Sequence, residues 1–167
     1  NQLLMRNRQV YTDSLTKVFN RRYCDERLRR LSGEYALAMI DIDNLKQIND
    51  CLGHPAGDTA IYHTAQAIRA ILRSQDELVR YGGDEFLLLF HSLPQNILRR
   101  KLEDICRAVR ALRVADLPEL RITVSIGGVY AAGQISELVE KADLALYRAK
   151  AQKDSAVLYE EDFHDSE

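Results

Sequence analysis

The stretch ELVRYGGDEFLLLF, residues 77–90, is where the fold is read most directly. Two β-compatible runs, 77–81 and 84–90, flank the pair Gly82-Gly83, a pattern that predicts a β-hairpin. Upstream, YALAMID, 35–41, is short, apolar and β-compatible, and predicts a buried strand ending on Asp41. Between strand and hairpin, Asp43 or Asn44 is placed to cap a short helix, LKQIND, that ends near Gly53. Ile61, Ala65, Ile68 and Leu72 then recur at helical spacing across 56–72. Downstream, Ile97, Leu102, Ile105, Val109 and Leu112 predict a helix over 94–113. A strand over 119–130, a long helix over 134–152 and an edge strand over 155–159 complete the chain. Near the start, residues 1–11 read as helix up to a break at Thr12 or Asp13, and 20–31 as a surface helix stopped by Ser32-Gly33. This order predicts an α+β fold, a central and mostly antiparallel sheet flanked by helices.

The bulk composition narrows the function. The 167 residues suit one domain, and a hydrophobic fraction of 46% is enough for a real core. With 23 basic and 25 acidic residues the net charge is −2, so no nucleic-acid footprint is expected. Cys24, Cys51 and Cys106 lack zinc-ligand spacing and read as packing or surface thiols of a reducing, cytoplasmic setting. No apolar run reaches the ~20 residues of a membrane span. The chain opens on Asn1, and residues 1–12 read as the end of a linker or signalling helix from an upstream sensory region. That leaves membrane anchoring of a parent protein open. Residues 13–160 form the domain, and 161–167 an acidic tail.

Two acidic clusters sit at strand ends: Asp41-Ile42-Asp43 and, beside the glycine pair, Asp84-Glu85. Acids in such places cost stability unless something pairs with them. A hard cation such as Mg²⁺, bound through one or two carboxylates plus substrate phosphates, is one partner, and Mn²⁺ accepts the same oxygens. Gly82 and Gly83 permit positive φ and let a ligand approach the backbone. An ordinary tight hairpin with solvated acids, and Asp43 as a helix cap, accounts for the same residues. The chain has no GxxxxGK[ST] and no GxGxxG after a strand, and His63 and His91 lack a metal-spaced partner.

The run Arg80-Tyr81-Gly82-Gly83-Asp84-Glu85-Phe86 resembles the signature of the GGDEF family of diguanylate cyclases. Three further blocks resemble that family in the same order: DSLTKVFNRR at 13–22, DIDNLKQINDCLGHPAGD at 41–58 and ADLALYRAK at 142–150. The resemblance implies a palm-like, nucleotidyl-cyclase-like fold with a ferredoxin-like βααββαβ core. It implies the condensation of two GTP into cyclic di-GMP and two pyrophosphates, across a homodimer with one GTP per domain. By the same resemblance, Asp41, Asp84 and the Ile42 carbonyl hold the metal, and Glu85 completes the catalytic acids. Asn49 and Asp58 read guanine, Lys46 and Lys150 contact phosphate, and His54, Gly82 and Gly83 line the nucleotide. Arg73 and Asp76 match an RxxD product-inhibition site, to which Arg107 adds a second arginine from a facing domain.

The family's last block continues AKxxGRNxV, but here it reads AKAQKDSAV. Lys153 stands at the glycine and Asp154 at an arginine that touches the triphosphate. Asn44 and Leu45 stand where an aromatic follows DxD. A carboxylate beside a triphosphate repels it. Two other readings therefore stand beside the cyclase: a non-catalytic receptor for GTP or cyclic di-GMP, and a cyclase for another purine, against which Asp58 argues.

Overall fold

The first strand, β1 (Ser32–Ile42), is apolar on both faces because both faces are covered. On one side Ala36, Ala38, Ile40 and Ile42 pack with Phe86, Leu88 and Phe90 in one core. On the other, Leu37 and Met39 pack with Leu87, Leu89 and Val129 in a second. The period of two along the strand sends alternate side chains into these two layers. The computed structural model describes residues 2–161.

Helix α1 (Gln2–Tyr11) leads to α2 (Arg21–Tyr23), whose cap Asn20 accepts a hydrogen bond from the Tyr23 N–H. This helix then widens into a π turn over Cys24–Leu28, closed by the Arg29 N–H donating to the Cys24 carbonyl at 2.9 Å. After β1 come α3 (Leu45–Leu52) and α4 (His54–Ala70), then the hairpin β2 (Glu77–Arg80) and β3 (Glu85–Phe90). The chain closes with α5 (Gln95–Arg110), β4 (Val124–Gln134), α6 (Ile135–Gln152) and β5 (Ser155–Leu158). The sheet order is β2-β3-β1-β4-β5, antiparallel except for the β4–β5 pair. The expected α+β class and ferredoxin-like core are therefore present. Residues of α4 and α5 cover the first face, those of α6 and the π turn the second.

Several expected boundaries move. Ser32 and Gly33 do not merely stop a helix; they open β1 and pair with Gln134 and Gly133. The strand expected over 119–130 runs instead over Val124–Gln134, because it follows β1 from Ile42 back to Ser32. Leu120 and Ile122 give 119–123 its apolar alternation by packing into the core from a looped segment. Nor does Asp43 or Asn44 cap α3: Asn44 occupies the cap position at φ 58 without a capping bond, and Asp43 is committed elsewhere. The three cysteines are free, Cys24 and Cys106 buried and Cys51 exposed. Among the described residues no helix is long and apolar enough to cross a membrane. Most of the acidic tail, 162–167, lies outside the described residues.

Candidate active site

The sheet register sets Asp41 opposite Glu85, and the Ile42 N–H donates to the Asp84 carbonyl at 3.0 Å. Like charges directly across a strand pair repel. Here carboxylate oxygens of Asp41, Asp84 and Glu85 lie within 4.8 Å of one another, and Asp41 is only 6% exposed. Burial pushes the Asp41 carboxyl up to about 6; the hydrogen bond from Lys150 opposes this, while Asp84 and Glu85 add to it. Asp143, on α6, is also raised, by burial and then by Glu85.

A cation meets this cluster: Lys150 Nζ lies 2.5 Å from Asp41 Oδ2. It stands near the C-terminal end of α6, which presses on β4 at Gly127. A Cβ there would lie 2.1 Å from the Ala142 carbonyl oxygen and 2.2 Å from the Leu146 nitrogen, so only glycine lets the helix sit this close. The turn of the hairpin is held from below. The Tyr81 and Gly82 N–H groups donate to the Glu85 carbonyl at 2.8 and 3.2 Å. Arg80 donates to the Gly83 carbonyl at 2.9 Å and bridges to Asp13 at 3.3 Å. Gly82 and Gly83 do not use the positive φ that glycine permits; the glycines that do are Gly53 and Gly133. A Cβ on Gly83 would meet nothing within 4 Å, so the hairpin turn is open at the residue that precedes Asp84.

Asp43 behaves differently from Asp41. Its carboxylate accepts hydrogen bonds from Thr123 Oγ1 and Ser125 Oγ, both 2.6 Å, and from the Asp154 N–H at 2.9 Å. It is a structural acid that ties the α6–β5 turn to the end of β1.

Asn49 on α3 meets Gly57 on α4 across the bend at Gly53. A Cβ on Gly57 would fall 1.8 Å from Asn49 Oδ1, so the Asn49 amide fills the space that this glycine leaves, one residue before Asp58. Lys46, His54 and Asp58 are exposed.

The family profile for "Diguanylate cyclase, GGDEF domain" matches residues 10–156. The chain is a GGDEF domain. It is 34% identical over 148 residues to the probable diguanylate cyclase DgcC of Escherichia coli K12, covering 83% of this chain and 40% of that relative. It is 36% identical over 156 residues to the diguanylate cyclase TpbB of Pseudomonas aeruginosa, covering 86% of this chain and 36% of TpbB. It therefore spans well under half the length of these curated relatives. The coiled coil and GGDEF domain of DgcB from Caulobacter crescentus, solved with c-di-GMP, superposes with a TM-score of 0.87. The two share 29% identity, and the match covers 94% of this chain and 90% of that solved chain.

In this GGDEF domain Arg73 and Asp76 close on each other. Asp76 accepts from the Arg73 N–H at 2.9 Å, from Nε at 3.2 Å and from Nη2 at 2.8 Å, and Nη2 also donates to the His91 carbonyl at 2.8 Å. The pair borders a cavity of about 350 Å³ that Lys17, Phe19 and Arg69 also line. Arg107 is not joined to it; it lies exposed on α5, paired with Asp104 at 2.8 Å. His91 pairs with Glu77 at 2.7 Å, and Glu77 also accepts from the Tyr23 hydroxyl, so this histidine serves the fold. The contributions of Gly57, Gly127 and Asp43 escaped the sequence reading. The signal for Gly57 was its place one residue before Asp58.

Proposed function

We propose that this GGDEF domain is the catalytic domain of a diguanylate cyclase. It joins two GTP, one held by each of two facing copies, into cyclic di-GMP and two pyrophosphates. The observation that carries the reading is the register of Asp41 against Glu85 with Asp84 beside them, a set of mutually repelling carboxylates gathered at one end of the sheet. An all-oxygen donor set fits a hard divalent ion, Mg²⁺ or Mn²⁺, and the Lys150 ammonium on Asp41 supports positive charge being drawn to this place. Asp41, Asp84 and the Ile42 carbonyl would hold the ion, with Glu85 completing the acidic set. When bound, it supplies neutralisation of phosphate charge and a lowered pKa for a hydroxyl.

The protein's own groups do the rest. Lys150, released from Asp41, and Lys46 take phosphate oxygens. Asp58 accepts from the N1–H and the 2-amino group of guanine, a donor pair that adenine lacks, and Asn49 completes that reading. His54 lines the same site. Gly82 and Gly83 give the nucleotide room above the hairpin. The 3′-hydroxyl oxygen of one GTP forms a bond to the α-phosphorus of the other as the bond to pyrophosphate breaks, and the hydroxyl proton passes to solvent water. Repeating this in the opposite sense closes the ring, so a single copy cannot complete it. Helix α1 would link the domain to an upstream sensory region that sets the encounter.

Arg73 and Asp76 are the proposed product site. Because they are paired with each other, cyclic di-GMP must compete for both, the arginine turning to phosphate or guanine and the carboxylate to guanine. Arg107 of a facing copy would add to the grip. The DgcB domain, solved with c-di-GMP, supports product binding on this fold.

The test is product formation. The domain, with and without a dimerising coiled coil fused ahead of Asn1, is incubated with GTP and Mg²⁺, and the nucleotides are resolved by anion exchange. Cyclic di-GMP that disappears in Asp84→Ala, at unchanged secondary structure, is the expected result. GTP binding without product even in the dimerised form would move the assignment to a receptor.

A further inference from the structure

Lys153 has φ 61 and ψ 164, a backbone region occupied almost only by glycine, and Asp154 follows at φ 45. Consecutive strained residues persist only where their surroundings hold them. Asp154 supplies much of that hold. Its N–H donates to Asp43 Oδ2 at 2.9 Å, and its carboxylate takes two hydrogen bonds from Arg110, at 2.6 and 3.1 Å. The Lys153 N–H adds a bond to the Ala149 carbonyl at 2.8 Å.

The result is a fixed direction for Lys153. Its Nζ reaches Asn44 Oδ1 at 2.5 Å, while Lys150, one helical turn earlier, reaches Asp41. The two ammonium groups thus stand at the two ends of the segment Asp41–Asn44. A neutral amide oxygen is a weaker partner for an ammonium than an anion is, so the charge on Lys153 remains available. The negative charge of Asp154 is matched by Arg110 and does not oppose an anion arriving at this place.

We infer that Lys153 binds the triphosphate of the nucleotide, and that Asp154 is a positioning residue that holds the strained turn aiming it. The inference rests on the proposal that this domain binds GTP. It assigns phosphate binding to a residue at which the family pattern carries none.

The test titrates GTP with Mg²⁺, and separately guanosine, into the wild type, Lys153→Gly and Lys153→Arg, and records thermal unfolding of each. Glycine suits the backbone at 153, so Lys153→Gly should melt higher than the wild type. It should nonetheless bind GTP about tenfold more weakly, the loss of one charge-assisted contact. Guanosine binding should not change, and Lys153→Arg should stay within a few-fold of the wild type. Asp154→Ala should raise the GTP KM at near-constant kcat, and that effect should vanish in the Lys153→Gly background. Wild-type GTP affinity in Lys153→Gly, or an equal loss for guanosine, would overturn the inference while leaving GTP binding itself intact. A wild type that binds no GTP would overturn the proposed function, and this inference with it.

Discussion

Asp41 and Asp43 stand two residues apart at one strand end, yet they live in opposite environments. Asp43 is satisfied by two hydroxyls and an N–H, contributed by residues on β4, just before it and on the α6–β5 turn. Asp41 faces two further carboxylates and, among the described residues, is paired with Lys150. The fold thus finishes one acid and leaves its neighbour in want of positive charge. On the proposed function, the costly arrangement is the working end and the complete one beside it is its support.

Substitutions at the two acids should therefore differ in kind. Asp43→Ala leaves Thr123, Ser125 and the Asp154 N–H without an acceptor, and should cost about 3 kcal/mol in urea unfolding. A loss below about 1 kcal/mol would break the contrast. Gly57→Ala sharpens it on the nucleotide side. The new methyl collides with the movable end of Asn49, so stability should change by less than about 1 kcal/mol while GTP affinity falls about tenfold. Unchanged affinity would show that the Asn49 position is idle.

Asp41→Asn should act in the opposite direction from Asp43→Ala. The folded carboxyl sits at about 6, above its ordinary range, so the ionised form is disfavoured in the native state. Native stability is therefore lost as pH rises from the ordinary carboxylate range through about 6, and asparagine escapes that loss. Without divalent ions, Asp41→Asn should melt about 3 °C higher than the wild type above pH 7. The advantage should shrink as pH falls below about 6, when the wild-type acid is protonated. An asparagine variant that melts lower at pH 7 would mean that the Lys150 bond outweighs the repulsion.

The sequence made the strand and hairpin plain, because YALAMID and DEFLLLF are continuous apolar runs with acids at their ends. Order and spacing of four blocks carried the family. Less visible was anything that depends on distant partners. Asp43 lies next to a helix start and reads as a cap; its hydrogen-bonding hydroxyls are 80 and 82 residues away. The edges of β4 follow from pairing with β1, not from the apolar pattern of 119–123, which reports a loop that buries Leu120 and Ile122. Asp154 reads as a defect opposite a triphosphate until Arg110, 44 residues earlier, is seen to take up its charge.

The central claim is that the opposed carboxylates form a cation site completed by the nucleotide. The most direct measurement is titration of Mn²⁺ with GTP present, following the free-ion signal by electron paramagnetic resonance, in the wild type, Asp43→Asn and Asp84→Ala. The account predicts that the wild type and folded Asp43→Asn remove free Mn²⁺ beyond what GTP alone removes, and that Asp84→Ala does not. Equal removal by Asp84→Ala and the wild type would contradict it.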